Sequence, residues 1–495
     1  MEVYASLKPL YALLVSLSAV ILIGVSRKRP NLRETWTLLA ALLKLAIVAS
    51  MLPLILEGKV VECLLATVAP GLELRLKVDS LGLLFATTAS FLWLITSVYS
   101  IGYMRALEEH AQTRYYMCFA VALFSATGLA FAANLFTLFV FYEVLTLSTY
   151  PLVAHKQTPD ALKGARRYLT FLLGTSILFQ LPAIIMTYFY AGTLDFSSGG
   201  ILAGKAPDAI ITVMFILFIA GTAKAAIMPL HSWLPAAMVA PTPVSALLHA
   251  VAVVKAGVFT VTRVVLYVFG IDLLAGLGLG VVLACLASFT IITASIIALR
   301  QDNLKARLAY STISQLSYII LAVALLTPSG ITSGIMHITI HAFGKITLFF
   351  AAGAIYVAAH KTQVSELDGI GRRMPFTMGA FTVGALSMIA VPPAAGFVSK
   401  WYLLLGAVEA HQILVIIVII TSTLLNAGYY LPIVCAAFFK EGREVPCRGD
   451  RLREAPATMV APLVITASGV LLLFFTSNYL FNMASIVTAS VTGGN

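Results

Sequence analysis

Charge is what this 495-residue chain has least of. Asp, Glu, Lys and Arg together make up 11% of it, where a soluble globular chain carries about 25%. With 60% hydrophobic residues and a mean hydropathy of +0.97, that shortage excludes a soluble enzyme and describes a polytopic membrane protein. Cysteine is also scarce: five residues give no disulfide framework. Cys118, Cys285 and Cys435 fall within apolar runs, Cys63 and Cys447 fall on opposite sides of the membrane, and all five read as small packing residues. There is no Gly-rich phosphate loop, no CxxC pair and no Ser/His/Asp order suited to hydrolysis. The longest polar stretches, 57–77, 191–208 and 440–456, are too short to house a nucleotide-binding domain. No cofactor is called for, and whatever the chain does must be done within the bilayer.

What is present is a succession of apolar runs of the length that crosses ~30 Å of hydrocarbon. About fourteen begin near residues 10, 37, 78, 115, 134, 167, 209, 243, 273, 310, 331, 375, 412 and 457. The net charge of +11 could suggest a nucleic-acid partner, but its placement argues otherwise. Loops after odd-numbered spans hold 21 Lys and Arg, whereas loops after even-numbered spans hold only Lys59, Arg75, Lys77 and Lys205. The positive-inside rule then puts the odd loops in the cytoplasm and both termini outside. The first apolar run is followed, not preceded, by Arg27-Lys28-Arg29, so it reads as a retained span and not a signal peptide.

Two places interrupt the helical pattern. One is "MPLHSWLPAAMVAPTP" (228–243) and the other "VPPAAGF" (391–397). Proline removes a backbone donor, and in lipid the freed carbonyl needs another partner. The interruptions fall in the seventh and twelfth spans, which the topology makes antiparallel. Paired breaks of this kind point to an inverted-repeat transporter and its ion path.

Six basic residues fall inside spans: Lys44, Lys224, Lys255, Arg263, Lys345 and Lys400. Facing lipid, six such groups would cost on the order of 15–20 kcal/mol, so most must line a hydrated or paired interior. Lys44 and Arg263, nearer the ends of their spans, read as side chains that snorkel to the interface, and Lys44→Leu is expected to be tolerated. Glu143 is the one deep carboxylate. In "HITIHAFGKITLFF" (337–350), His337, His341 and Lys345 recur every four residues and so share one helix face over ~12 Å. A titratable group on each turn suits a proton relay. Zinc binding by this HxxxH finds no Glu as in HExxH, and haem ligation finds no matching histidine pair on another span. His249, six residues before Lys255, can both donate and accept a proton. Lysine holds its proton firmly unless burial or like charge weakens the grip, and a nearby carboxylate strengthens it. A Glu143–Lys224 pair that meets and parts would therefore act as a switch.

At these residues the chain resembles a known family. Glu143 in "FYEVLTLSTYPLV" (141–153), "PLHSWLPAAMVAPTPVSALLHAVAVVKAG" (229–257), "STISQLSY" (311–318), "HAFGKITLFFAAG" (341–353) and "PPAAGFVSK" (392–400) are similar to the antiporter-like subunits of respiratory complex I, of Mrp-type cation/proton antiporters and of membrane-bound hydrogenases. The likeness covers nearly all of 79–400. It implies an all-α fold of fourteen helices: three N-terminal helices (1–114), inverted five-helix repeats at 115–272 and 273–439 with discontinuous seventh and twelfth helices, and a loop with a last helix (440–495). It implies that Glu143 pairs with Lys224, that His249 and Lys255 begin a relay, that His337, His341 and Lys345 continue it, and that Lys400 ends it. A lysine at the last place, in a chain ending soon after the fourteenth span, suits an Mrp D-type subunit or its counterpart in a hydrogenase or related complex.

The expectation is a proton-translocating subunit that works with other membrane subunits in the plasma (inner) membrane of a prokaryote. Na+ exchange is a second reading. Glu143 and Asp79 are the only carboxylates within or at the edge of the spans, so there is no oxygen-rich cage and Na+ is expected to be handled elsewhere. The alternatives are a membrane subunit of an inorganic-carbon uptake system, which would need a zinc-bearing soluble partner, and a structural subunit that has lost transport.

Overall fold

The computed structural model describes residues 2–441 and 453–493, with the side chains of 248–250 outside that description. Cys447 and the basic residues of 442–452 lie outside the described residues. Helices dominate, and their starts follow local chemistry. Asp79, Asn134, Thr158, Asn303 and Thr327 each cap a helix by accepting a first-turn N–H through the side chain, which satisfies a donor the helix cannot.

The axis of the molecule is Pro328–Ala359, at 32 residues the longest helix among those described. It is apolar around its whole circumference and buried almost throughout 330–355, the pattern of a helix enclosed by others. Around it pack Ser80–Ala106, Thr242–Ala250, Leu304–Ala324, Pro375–Ile389, Gly396–Glu409, Ala457–Phe475 and Ser477–Val491. Lys8–Val25 and Pro30–Ala49 lie further out and show apolar side chains such as Ile21, Leu39 and Leu42 on the surface.

Nine helices among the described residues are long and apolar enough to cross a membrane, against about fourteen spans expected. The difference has a physical cause. Asp208–Gly221, Thr242–Ala250, Val253–Arg263, Pro375–Ile389 and Gly396–Glu409 are cut short by breaks. Gln112–Ala130 and Leu304–Ala324 are long enough but carry more polar residues.

An all-α chain was expected, yet one end of the bundle carries a small sheet. Strand β1 (Val3–Ala5) pairs in parallel with β2 (Val60–Ala69), which pairs antiparallel with β3 (Leu72–Val78). The stretch 57–77 is thus a hairpin, turned at Pro70-Gly71 with Gly71 at a φ of +77°. A cavity of about 470 Å³ beside it is lined by Val3, Lys77, Asp79 and Arg263 together with Ser490 of the last helix. Both ends of the chain therefore lie on one side of the bundle.

Candidate functional site

All six cations predicted within spans are inside the protein. Lys224 and Lys345 are 0% exposed, Lys255 1% and Lys400 6%. Lys44 and Arg263 correct the snorkelling expectation, since both are buried against protein. The Lys44 amine donates to Ser16 Oγ at 2.9 Å and to the Leu123 carbonyl at 2.7 Å, above the Trp93 ring. Arg263 makes a two-pronged ion pair with Asp79, Nη1 to Oδ2 at 2.5 Å and Nη2 to Oδ1 at 2.6 Å, ringed by Phe196, Phe259 and Tyr267.

The two interruptions share a construction. The helix Asp208–Gly221 ends, Ala226 takes a φ of +56°, and a proline follows three residues later at Pro229. The helix Pro375–Ile389 ends, Ala390 takes a φ of +74°, and Pro393 follows three residues later. Alanine in the left-handed region costs on the order of 1 kcal/mol, and surrounding packing holds it there. Neighbouring chains close in: a Cβ on Gly257 would lie 2.1 Å from Ala225 N, and one on Gly396 would lie 1.8 Å from the Ser387 carbonyl oxygen. Each break also redirects backbone bonding. Trp233 Nε1 donates to the Ala223 carbonyl at 2.9 Å, and Met228 N–H donates to Thr290 Oγ1 at 3.2 Å.

The clearest case is the Met388 carbonyl. Its helical donor would be the N–H of residue 392, which is proline and has none. Three side chains take that place: Lys400 Nζ at 2.9 Å, Gln315 Nε2 at 3.2 Å and Asn426 Nδ2 at 3.3 Å. Lys400 also lies 4.6 Å from the centre of the Tyr318 ring. One break in the backbone thereby holds one buried cation.

From there a polar run leads across the bundle. Gln315 Oε1 meets His337 Nε2 at 3.2 Å, and Ser399 Oγ meets His337 Nδ1 at 2.8 Å. The rings of His337 and His341 lie 5.8 Å apart, and His341 Nδ1 meets Lys255 Nζ at 2.8 Å. One turn further along, Lys345 donates to Ser311 Oγ at 2.6 Å, to Tyr430 OH at 3.0 Å and to the Leu308 carbonyl at 3.2 Å. The Lys255 and Lys400 ends are thus joined through the His341–His337 face of the axial helix.

Glu143 and Lys224 form a separate locus. The Lys224 amine donates to the Tyr142 carbonyl and lies 3.2 Å from the centre of the Tyr142 ring. Both Glu143 carboxylate oxygens are buried, and neither has a hydrogen-bond partner among the described residues. Lys224 therefore sits on the neighbour of Glu143 without an ion pair closing between them. The backbone of His249 lies at the end of Thr242–Ala250, between the loci in sequence, and its side chain is outside the described residues.

Gln315, Ser399, Ser311, Tyr430 and Asn426 were not singled out from the sequence, although Ser311 and Gln315 stand in the quoted "STISQLSY". An amide or hydroxyl buried in a span must also find a partner. That signal was available, but it is diluted by many such residues.

Fold and site together define a polytopic helical membrane protein with an interior run of lysines and histidines. Residues 132–426 match the family described as NADH:quinone oxidoreductase/Mrp antiporter, TM, and the chain belongs to that family as an antiporter-like subunit. Subunit N of NADH-quinone oxidoreductase from Desulforudis audaxviator is 33% identical over 417 residues, covering 82% of each chain. Hydrogenase-4 component B of Escherichia coli is 30% identical over 84% of this chain and 65% of its own length. Subunit L of the Mycobacterium tuberculosis oxidoreductase is 34% identical over 81% of this chain and 63% of its own. The chain thus spans less than two thirds of the hydrogenase component and of subunit L. Among solved structures, a chain of the membrane-bound sulfane sulfur reductase, an archaeal respiratory membrane complex, matches with a TM-score of 0.88 at 25% identity over 98% of both chains. A chain of the Mrp complex from Dietzia sp. shares the fold, with a TM-score of 0.85 at 22% identity over 98% of this chain and 97% of that one.

Proposed function

We propose that this subunit moves protons through its buried run, within a larger membrane complex. The observation that carries the reading is the Lys255–His341 contact at 2.8 Å. A buried amine against an imidazole nitrogen, with no carboxylate between them, is a place where one proton can be shared or passed. His337, Gln315, Ser399 and Lys400 extend that place, while Glu143 and Lys224 form the part that a partner subunit can switch. A charge on Lys224 is stabilised when Glu143 approaches and weakened when it withdraws. Asp79 is engaged by Arg263, which leaves Glu143 as the one deep carboxylate outside a close ion pair among the described residues. That is a poor cage for Na+, so coupled Na+ movement is assigned to other subunits.

We further infer fourteen crossings, counting each interrupted helix as one, with inverted repeats at 115–272 and 273–439. The shared offset from a left-handed alanine to a proline at the two breaks supports that pairing. With the odd-numbered loops cytoplasmic, both termini and the β2–β3 hairpin lie outside, in the plasma membrane of a prokaryote.

The test uses the intact complex in sealed vesicles. Lys255→Leu keeps the volume and removes the shared proton, so proton uptake is expected to vanish while the complex stays assembled. Undiminished uptake would end the proposal.

A further inference from the structure

Away from the relay, at the end of the bundle holding the basic loops 105–114 and 154–167, three potential metal ligands converge. Glu109 and His110 lie in the short loop between Ser80–Ala106 and Gln112–Ala130, and His155 lies in the turn after Leu135–Val153. The loop is folded back on itself: Glu109 N–H donates to the Met104 carbonyl at 3.0 Å, and Gln112 Nε2 donates to the Glu109 carbonyl at 3.0 Å. Arg114 Nη2 holds the His155 carbonyl at 3.2 Å. These bonds fix the backbone and leave the side chains to one another.

Glu109 Oε2 lies 3.6 Å from His155 Nε2 and 4.0 Å from His110 Nδ1. The three ligand atoms all fall within 4.8 Å of one another. Ligands around tetrahedral zinc, bound at ~2.0–2.2 Å, stand about 3.3 Å apart. Binding would draw the three in by about 1 Å, and the half-exposed His110 side chain has solvent on one side in which to move. His155 supplies an independent sign. It is 0% exposed, and neither ring nitrogen has a hydrogen-bond partner among the described residues. The nearest acceptor, Glu109 Oε2 at 3.6 Å, is too far for a full hydrogen bond, which leaves the buried ring at a cost that a metal ion would remove.

We propose that Glu109, His110 and His155 form a three-ligand site for a transition-metal dication of the zinc type, with the fourth position open to water. Two imidazoles select such an ion over Mg2+ or Ca2+, which take oxygen ligands. The cationic neighbours Lys156 and Arg114 hold its affinity below that of a carboxylate-rich site. A bound ion would tie the end of Ser80–Ala106 and the start of Gln112–Ala130 to the end of the helix bearing Glu143. The inference stands on its own geometry and does not depend on the proton reading.

The test is a zinc titration of the full chain in detergent, stripped of metal, against a chromophoric chelator. One equivalent is expected to bind, and His110→Ala or Glu109→Gln should each weaken it roughly 100-fold, at least as much as loss of an outer-shell group does. His110 is exposed enough for its replacement to leave the fold intact. His360→Ala and His411→Ala, at exposed histidines elsewhere, should change nothing. Cobalt in place of zinc should give tetrahedral d–d bands without thiolate charge transfer. Absence of a stoichiometric site, indifference to both ligand substitutions, or a thiolate band would each overturn the proposal.

Discussion

The two interrupted helices place a lysine in the same kind of bed and then differ in what lies beside it. Lys224 and Lys400 each donate to a backbone carbonyl and lie over a tyrosine ring, at 3.2 Å for Tyr142 and 4.6 Å for Tyr318. A carbonyl and a ring face stabilise an ammonium without fixing its proton as a carboxylate would. In the first locus a carboxylate stands one residue away, at Glu143. In the second the neighbours are Gln315, Asn426 and His337, all neutral or able to become so. The first locus thus has two electrostatic states and the second has one. In the proposed mechanism, switching belongs where a charge can pair, and conduction where it cannot.

The largest expected effect comes from removing that difference. Glu143→Gln and Lys224→Ala are each expected to abolish coupled ion movement in vesicles while the complex remains assembled. Full transport by either variant would take that residue out of the mechanism. Next in size is Asp79→Ala, which strands the Arg263 guanidinium. Breaking a buried pair costs about 3–5 kcal/mol, so the yield of assembled complex should collapse, and Asp79→Ala with Arg263→Leu should recover part of it. A single variant as poor as the double in yield, or no loss at all, would contradict this. Gln315→Glu sharpens the comparison from the other side by giving the second locus its own carboxylate. Holding the proton there by a further ~1.4 kcal/mol slows transfer about tenfold, and an unchanged rate in a proton-flux assay would show that the neutral surroundings of Lys400 do not matter. The smallest functional effect is expected at Lys44. Lys44→Leu should leave transport within about twofold, yet lower unfolding stability by roughly 1 kcal/mol, since Ser16 Oγ loses its partner while the Leu123 carbonyl keeps Thr127 Oγ1. An unshifted thermal midpoint would restore the tolerance expected from sequence alone.

The sequence makes some of this legible for a simple reason. Cations, prolines and four-residue spacing are conspicuous in an apolar chain, so the two breaks and the His337–His341–Lys345 face could be read directly. What could not be read were partners far apart in the chain. Asp79 with Arg263, Lys44 with Ser16 and Leu123, and the three donors on Met388 O join segments that only the packing brings together. The β2–β3 hairpin is a different failure. Its Pro-Gly turn and β-branched residues are visible signals, but in a chain of apolar helices a short polar stretch between spans carries them without standing out. Lys44 and Arg263 lie away from their span centres yet are 0% and 2% exposed, so depth in the sequence does not report exposure. Exposure depends on neighbours as well as depth.

The helix Pro328–Ala359 has a mechanical consequence. His341 on it touches Lys255 of Val253–Arg263, and His337 on it touches Ser399 of Gly396–Glu409. A carrier that exposes its cargo by tilting one half against the other would have to tear one of those joints on every turnover. A continuous rod clasped from both sides instead behaves like a fixed spine. If those joints hold through turnover, the proposed relay needs only small moving parts: a rotating amine, a swinging carboxylate and reorienting solvent, closer to relays on a circuit board than to a rocking gate.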